Sequence, residues 1–174
     1  VTDPRWSRHH DRMASMSALV STAGRLFAIV DEGSRAIIQL PPKWKLVARD
    51  AFNSTLLWKR EIPDWYFHLW PMKSGPTQLT RRLVAVDQRV YVTLGLQAPI
   101  SVLDASTGTT LRVLPGTNGT EELLVADGTL YALVNPALTE DEPFIPDRSG
   151  VWTDTQRVGK AWLWDEAPRR VMAF

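Results

Sequence analysis

Ala48–Trp58, ARDAFNSTLLW, and Val102–Arg112, VLDASTGTTLR, read as two worn copies of one pattern, each following an alternating run rich in β-branched residues. The copies complement each other. The first keeps the opening Ala48 and the closing Trp58, the second keeps the turn residues Thr107 and Gly108, and both keep Asp followed by Ala (Asp50, Ala51; Asp104, Ala105). Overlaid they spell AxDAxTGxxxW, and an internal period of this kind marks a chain built by repetition.

Each position has a physical reading. A small Ala lets neighbouring sheets approach, and Asp50 or Asp104 is placed to accept hydrogen bonds from the N–H groups of the turn that follows. Gly108 supplies a positive φ. In the first copy Asn53 and Ser54 stand where the pattern has Thr and Gly, and Asn is the non-Gly residue expected to tolerate the left-handed region. Trp58, near the start of an outer strand, is expected to pack on the adjacent sheet. Its counterpart Arg112 packs less well, although a guanidinium can stack.

Three hairpins precede strands of this kind: Leu19–Val30 (LVSTAGRLFAIV), Leu83–Leu94 (LVAVDQRVYVTL) and Leu124–Asn135 (LVADGTLYALVN), aligned without gaps. Their turns hold Ala23 and Gly24, Asp87 and Gln88, and Asp127 and Gly128. Asp and Gly suit two-residue hairpin loops. After each turn come a basic or polar residue, an aliphatic and an aromatic (Arg25, Leu26, Phe27; Arg89, Val90, Tyr91; Thr129, Leu130, Tyr131), and the alternation puts one set between neighbouring sheets. A hairpin, a strand entering the motif and a strand leaving its turn make four strands, the size of one propeller blade.

The pattern resembles the tryptophan-docking motif of quinoprotein-type β-propellers, the PQQ-like repeat proteins that include alcohol dehydrogenases and an outer-membrane assembly scaffold. The resemblance implies an all-β fold: four-stranded antiparallel blades, about two complete and part of a third, forming one partial propeller over residues 1–174. The blades are expected over about 13–62, 82–115 and 121–174, the last truncated. Arg170–Phe174 repeats the entry Lys45–Arg49 and stops one residue before the next expected Asp, and no signal-peptide pattern follows Val1. The expectation is a segment of a longer protein, with the remaining blades of that chain as its first partners.

Composition limits the function. Hydrophobic residues make up 44% of 174 residues, enough for a domain with a real core. The formal net charge of +1 gives no basic field for nucleic acid or an anionic membrane. No apolar run approaches the roughly 20 residues a membrane-spanning helix needs. With no Cys there is no disulfide framework and no thiolate ligand or nucleophile in these residues. The family is familiar from bacterial extracytoplasmic space, so a periplasmic or otherwise extracytoplasmic location is what the resemblance implies.

The candidate chemical groups mostly favour structural readings. His9, His10, Asp11 and Arg12 suggest metal or acid–base chemistry, but adjacent His side chains on a strand point to opposite faces, and no third ligand stands at motif spacing. Trp65, Tyr66, Phe67, His68 and Trp70, with Lys73 behind them, form the densest aromatic cluster. They are a candidate ligand surface, although a plug between blades is the favoured reading. Asp31 and Glu32 line either a channel mouth or a solvated loop. Glu61 with Asp64, and Glu140, Asp141 and Glu142, are paired only in sequence. Asn53–Thr55 and Asn118–Thr120 match the glycosylation sequon at turns where Asn is favoured anyway. Trp162 and Trp164 alternate near the last strand and read as structural. The connectors Asp31–Lys43, Pro63–Arg81 and Pro136–Lys160 are long, and long connectors are often functional.

In quinoprotein dehydrogenases the quinone lies over a tryptophan with a Ca²⁺ held by carboxylate and amide groups and an Asp as base, commonly beside a vicinal disulfide. None of these matches positions here, so catalytic and metal-binding residues are assigned to none. With its HDRM start (His10–Met13), DEG and LPPKWKLVARDAF runs and HLWP connector, the chain also resembles large PQQ-like repeat proteins of environmental bacteria, some joined to a methyltransferase-type domain, for which this part would be a scaffold or recognition surface. The expected function is a noncatalytic binding or scaffold module that requires no cofactor, with a protein or small molecule as ligand. The rival is part of a PQQ- and Ca²⁺-dependent oxidoreductase.

A partial array leaves apolar sheet faces open to water. Expressed alone, residues 1–174 are expected to self-associate. A monomer with a sharp, cooperative melt, seen by light scattering and calorimetry, would contradict that.

Overall fold

The computed structural model describes residues 16–34, 40–65, 77–136 and 168–174. Among the described residues eleven strands form three antiparallel sheets, each a simple meander. The first joins β1 (Met16–Thr22), β2 (Arg25–Asp31), β3 (Trp44–Asp50) and β4 (Leu56–Glu61) in that order. The second joins β5 (Leu83–Val86), β6 (Arg89–Thr93), β7 (Ile100–Asp104) and β8 (Thr110–Val113). In the third, β9 (Thr120–Ala126) pairs with β10 (Thr129–Val134) and β10 with β11 (Arg170–Ala173). A 3₁₀ turn, Thr77–Arg81, lies against β1 and β9.

Local sequence sets the register. Each sheet opens with a two-residue loop closed by a cross-strand pair: Thr22 with Arg25, Val86 with Arg89, Ala126 with Thr129. Ala23, Asp87 and Asp127 take φ of 47°, 51° and 50°, the positive values such tight loops demand. From there period-two alternation assigns every side chain to a face.

Those faces build the core. Phe27, Ala48 and Trp58 of the first sheet face Leu83, Val90, Val92, Leu103 and Ala105 of the second. Val84, Tyr91 and Val102, on the opposite face of the second sheet, meet Leu123, Leu130, Ala132 and Val134 of the third. Of the innermost strands, β5 neighbours β1 on one side and β9 on the other. Successive antiparallel meanders, two of four strands and one of three among the described residues, stacked face to face around their first strands, are blades of a β-propeller.

One expected alignment shifts. The third hairpin is in frame with the others when it starts at Leu123 and not at Leu124, because Leu123 pairs with Ala132 as Leu83 pairs with Val92 and Leu19 with Ala28. Leu123 is buried against the second sheet and Leu124 is exposed on the far face. The Leu–Leu doublet made either start fit by composition, and only the turn fixes the phase. Bulges at Ser17 and Glu121, both six residues before the first turn residue, bend β1 and β9 at their entry.

The far face of the third sheet presents Leu124 and Tyr131, 59% and 39% exposed. Their equivalents by register face the second sheet from the first (Val20, Phe27) and the third from the second (Val84, Tyr91).

Phe27 has no exposed surface and touches Trp58, with ring centroids 5.8 Å apart. Phe27→Ala should therefore cost about 3–5 kcal/mol through lost burial and the cavity left behind, read as a lower urea midpoint at unchanged slope.

Candidate functional site

The two ends of the sheets are built differently. At one end lie the two-residue loops and the motif turns after β3 and β7. At the other lie the strand ends from which the connectors of variable length depart and return: Asp31 and Trp44, Glu61 and Leu83, Thr93 and Ile100, Val113 and Thr120, and Val134 and Arg170. The turn end holds the sheets together, and the connector end carries the buried polar groups.

At the turn end, Asp50 Oδ1 accepts from the N–H groups of Phe52 (2.9 Å) and Asn53 (3.0 Å), and Asp104 Oδ1 accepts from Ser106 (2.8 Å) and Thr107 (2.9 Å). The Thr107 hydroxyl donates to the same Asp104 oxygen at 3.1 Å. These donors, with Arg25 nearby, hold the Asp104 carboxyl below its ordinary pKa. The left-handed residue of the first turn is Ser54 (φ 62°), the counterpart of Gly108 (φ 72°). The expectation that Asn53 would supply it is corrected: Asn53 Oδ1 instead accepts from Thr55 N at 2.8 Å.

Trp58 crosses from the first sheet to this turn of the second. Its Nε1 donates to the Ala105 carbonyl at 3.0 Å. Its ring lies so close over Gly108 that a Cβ there would stand 2.7 Å from the indole. Two residues along the same face, Arg60 Nη1 donates to the Gly108 carbonyl at 2.7 Å. Arg25 spans the same gap, its Nη1 reaching Gln88 Oε1 and its Nη2 reaching Ser106 Oγ, each at 3.1 Å. Ala105 is buried beneath these contacts, whereas its counterpart Ala51 is exposed.

At the connector end, Trp65 is a core residue between the first and second sheets, its Nε1 donating to Ser17 Oγ at 3.2 Å. Tyr66, His68, Trp70 and Lys73 lie outside the described residues, as do Phe67, His9, His10, Asp11, Arg12, Glu140, Asp141, Glu142, Trp162 and Trp164. Asp31 is buried, and its Oδ1 accepts from Gly33 N (2.6 Å) and Lys43 N (2.7 Å), which ties the two ends of its connector together. Glu32 is paired with Lys59 and, at 3.6 Å, with Lys45; the Lys59 hydrogen bond is the main cause of its lowered pKa. Lys45 also reaches Glu61 at 3.6 Å. The Asp64 carbonyl accepts from Leu96 N at 2.7 Å, and desolvation raises its carboxyl pKa.

Four buried or half-buried polar side chains at this end escaped the sequence reading. Arg82 is fully buried and donates through Nη1 to the Leu96 carbonyl at 2.6 Å; burial pulls its pKa down to about 10, with Glu121 opposing. Glu121 accepts from Asn135 Nδ2 (3.0 Å) and from Arg169 Nε (3.2 Å) and Nη2 (3.4 Å). Only strand pairing brings these groups together. Of the sequons, Asn118 Nδ2 donates to the Gln97 carbonyl at 3.0 Å and the buried Thr120 hydroxyl donates to the Thr117 carbonyl at 2.6 Å. Among the described residues no three His, Asp or Glu side chains gather as ion ligands, and no helix is long and apolar enough to cross a membrane.

No protein-family model and no curated protein matches the chain. Among solved structures it is similar to the crystal structure of BamB from Moraxella catarrhalis, with 12% identity and a TM-score of 0.37. That match covers 67% of this chain and 40% of the other, so the chain spans well under half of its length. The propeller fold stands on sheet order, register and face packing.

Because its folded pKa is depressed below the ordinary carboxylate value of 3.8, Asp104 stabilises the turn above the unfolded pKa, and that contribution disappears as pH falls through the folded value. Asp104→Asn should therefore lose stability at neutral pH and show a weaker acid dependence below 3.8, measured as melting temperature against pH.

Proposed function

We propose that the chain is a noncatalytic β-propeller module, a binding or scaffold part of a larger PQQ-like repeat protein, which engages its partner through the connector end. The observation that carries this is the commitment of the buried polar groups there. Glu121 is engaged by Asn135 and Arg169, Asp31 by two backbone N–H groups and Arg82 by a carbonyl. Side chains tied in this way rigidify strand ends and position loops, as a presenting scaffold requires.

Further blades of the same repeat are the first partners in this reading, and a protein or small molecule held by the connectors is the second. A periplasmic or otherwise extracytoplasmic location rests on the sequence resemblance alone. No cofactor is required by these residues. A PQQ- and Ca²⁺-dependent oxidoreductase, the alternative reading, would need a carboxylate and amide ligand set around the ion, and among the described residues no three His, Asp or Glu side chains gather.

The test is to incubate the full chain with PQQ and Ca²⁺, remove free cofactor, and record absorbance and dye-linked alcohol oxidation. The expected result is no retained quinone and no oxidation. Retained quinone with turnover would replace the scaffold reading by the oxidoreductase.

A further inference from the structure

The turn of the first sheet superposes by register and hydrogen bonding on the turn that receives Trp58, yet it lacks what receives it. Ala51 N donates to the Gly24 carbonyl as Ala105 N donates to that of Gln88, and Ser54 N donates to Asp50 O as Gly108 N does to Asp104 O. Pairing of Leu26 with Arg49 matches that of Val90 with Leu103. Position by position, the contacts differ. Gly108, which lies under the indole, is replaced by Ser54, whose Cβ would occupy the space the ring needs. Gln88 and Ser106, which Arg25 grips, are replaced by Gly24 and Phe52. Buried Leu103 is replaced by Arg49, whose Nη1 donates to the Ser54 carbonyl at 2.8 Å. The equivalent carbonyl of Gly108 is taken by Arg60 of the neighbouring sheet. The first turn thus caps itself, and Phe52 stands beside it 89% exposed.

We propose that the outer face of the first sheet is the seam of the sheet stack: Ser54 and Arg49 exclude a docking tryptophan, and the sheet that covers this face carries a non-aromatic residue at the position of Trp58. Continuity with the two established interfaces argues for a sheet as the occupant. Leu26 and Ala28 hold the positions of Val90 and Val92, which face the first sheet, and of Leu130 and Ala132, which face the second. Leu19 is exposed on the same face. Within the chain such a donor already exists, since Arg112 stands in the second sheet where Trp58 stands in the first.

Two measurements test this. In the full chain, the photo-crosslinker p-benzoylphenylalanine replaces Leu19, and the captured peptide is identified by mass spectrometry. The expected peptide comes from another sheet of the repeat with a non-aromatic residue at the Trp58 position. Capture of a strand with tryptophan there, or no capture from another sheet, overturns the proposal. Exclusion by a β-carbon is tested separately with Gly108→Ser, which puts under Trp58 the side-chain type that the first turn carries at Ser54. With 5-fluorotryptophan labelling, the Trp58 ¹⁹F resonance should move toward the solvent-exposed position, and the same substitution should lower the melting temperature far less in a Trp58→Arg background. An unmoved resonance, or equal losses in both backgrounds, overturns the proposal. Should Gly108→Ser fail to fold, the crosslinking result decides alone.

Discussion

The contact of one indole ring with one glycine turn joins the first sheet to the second. Trp58 brings a large apolar surface and a single N–H to a place where the acceptor carbonyl of Ala105 is already fixed by its own turn. The hydrogen bond adds about 1 kcal/mol net, and burial of the ring adds more. Neither is available unless Gly108 lets the backbone approach. Asp104 holds that backbone still, so a carboxylate at the end of β7 supports a half-buried contact between sheets.

Much of this was legible in the sequence because tight turns and period-two alternation are local. The three two-residue loops could be read from Gly24, Asp87 and Gly128, and Phe27, Tyr91 and Tyr131 could be placed on one face by counting from them. The Leu123–Leu124 doublet shows the limit: composition fits two frames, and burial selects one. Arg60 was also within reach, since it stands two residues beyond Trp58 and must share its face.

The connector end was not legible for a physical reason. Arg82 follows another Arg, and nothing local says that one turns inward while Arg81 reaches out to Glu122 at 3.0 Å. Glu121, Asn135 and Arg169 meet only because β9, β10 and β11 are paired, with a bulge at Glu121 turning its side chain inward. Trp65 read as one of a run of aromatics, and the acceptor its buried indole N–H finds is Ser17, which lies far from it in sequence.

The separation of the two ends also bears on how such a chain can change. Each hairpin is phased from its two-residue loop, so residues inserted at the opposite end lengthen a connector without slipping a strand by one and turning its apolar face to water. Length variation is thereby confined to a region where it leaves the alternation intact. Connectors of such repeats can therefore change length and sequence many times over while the sheets continue to stack in the same register.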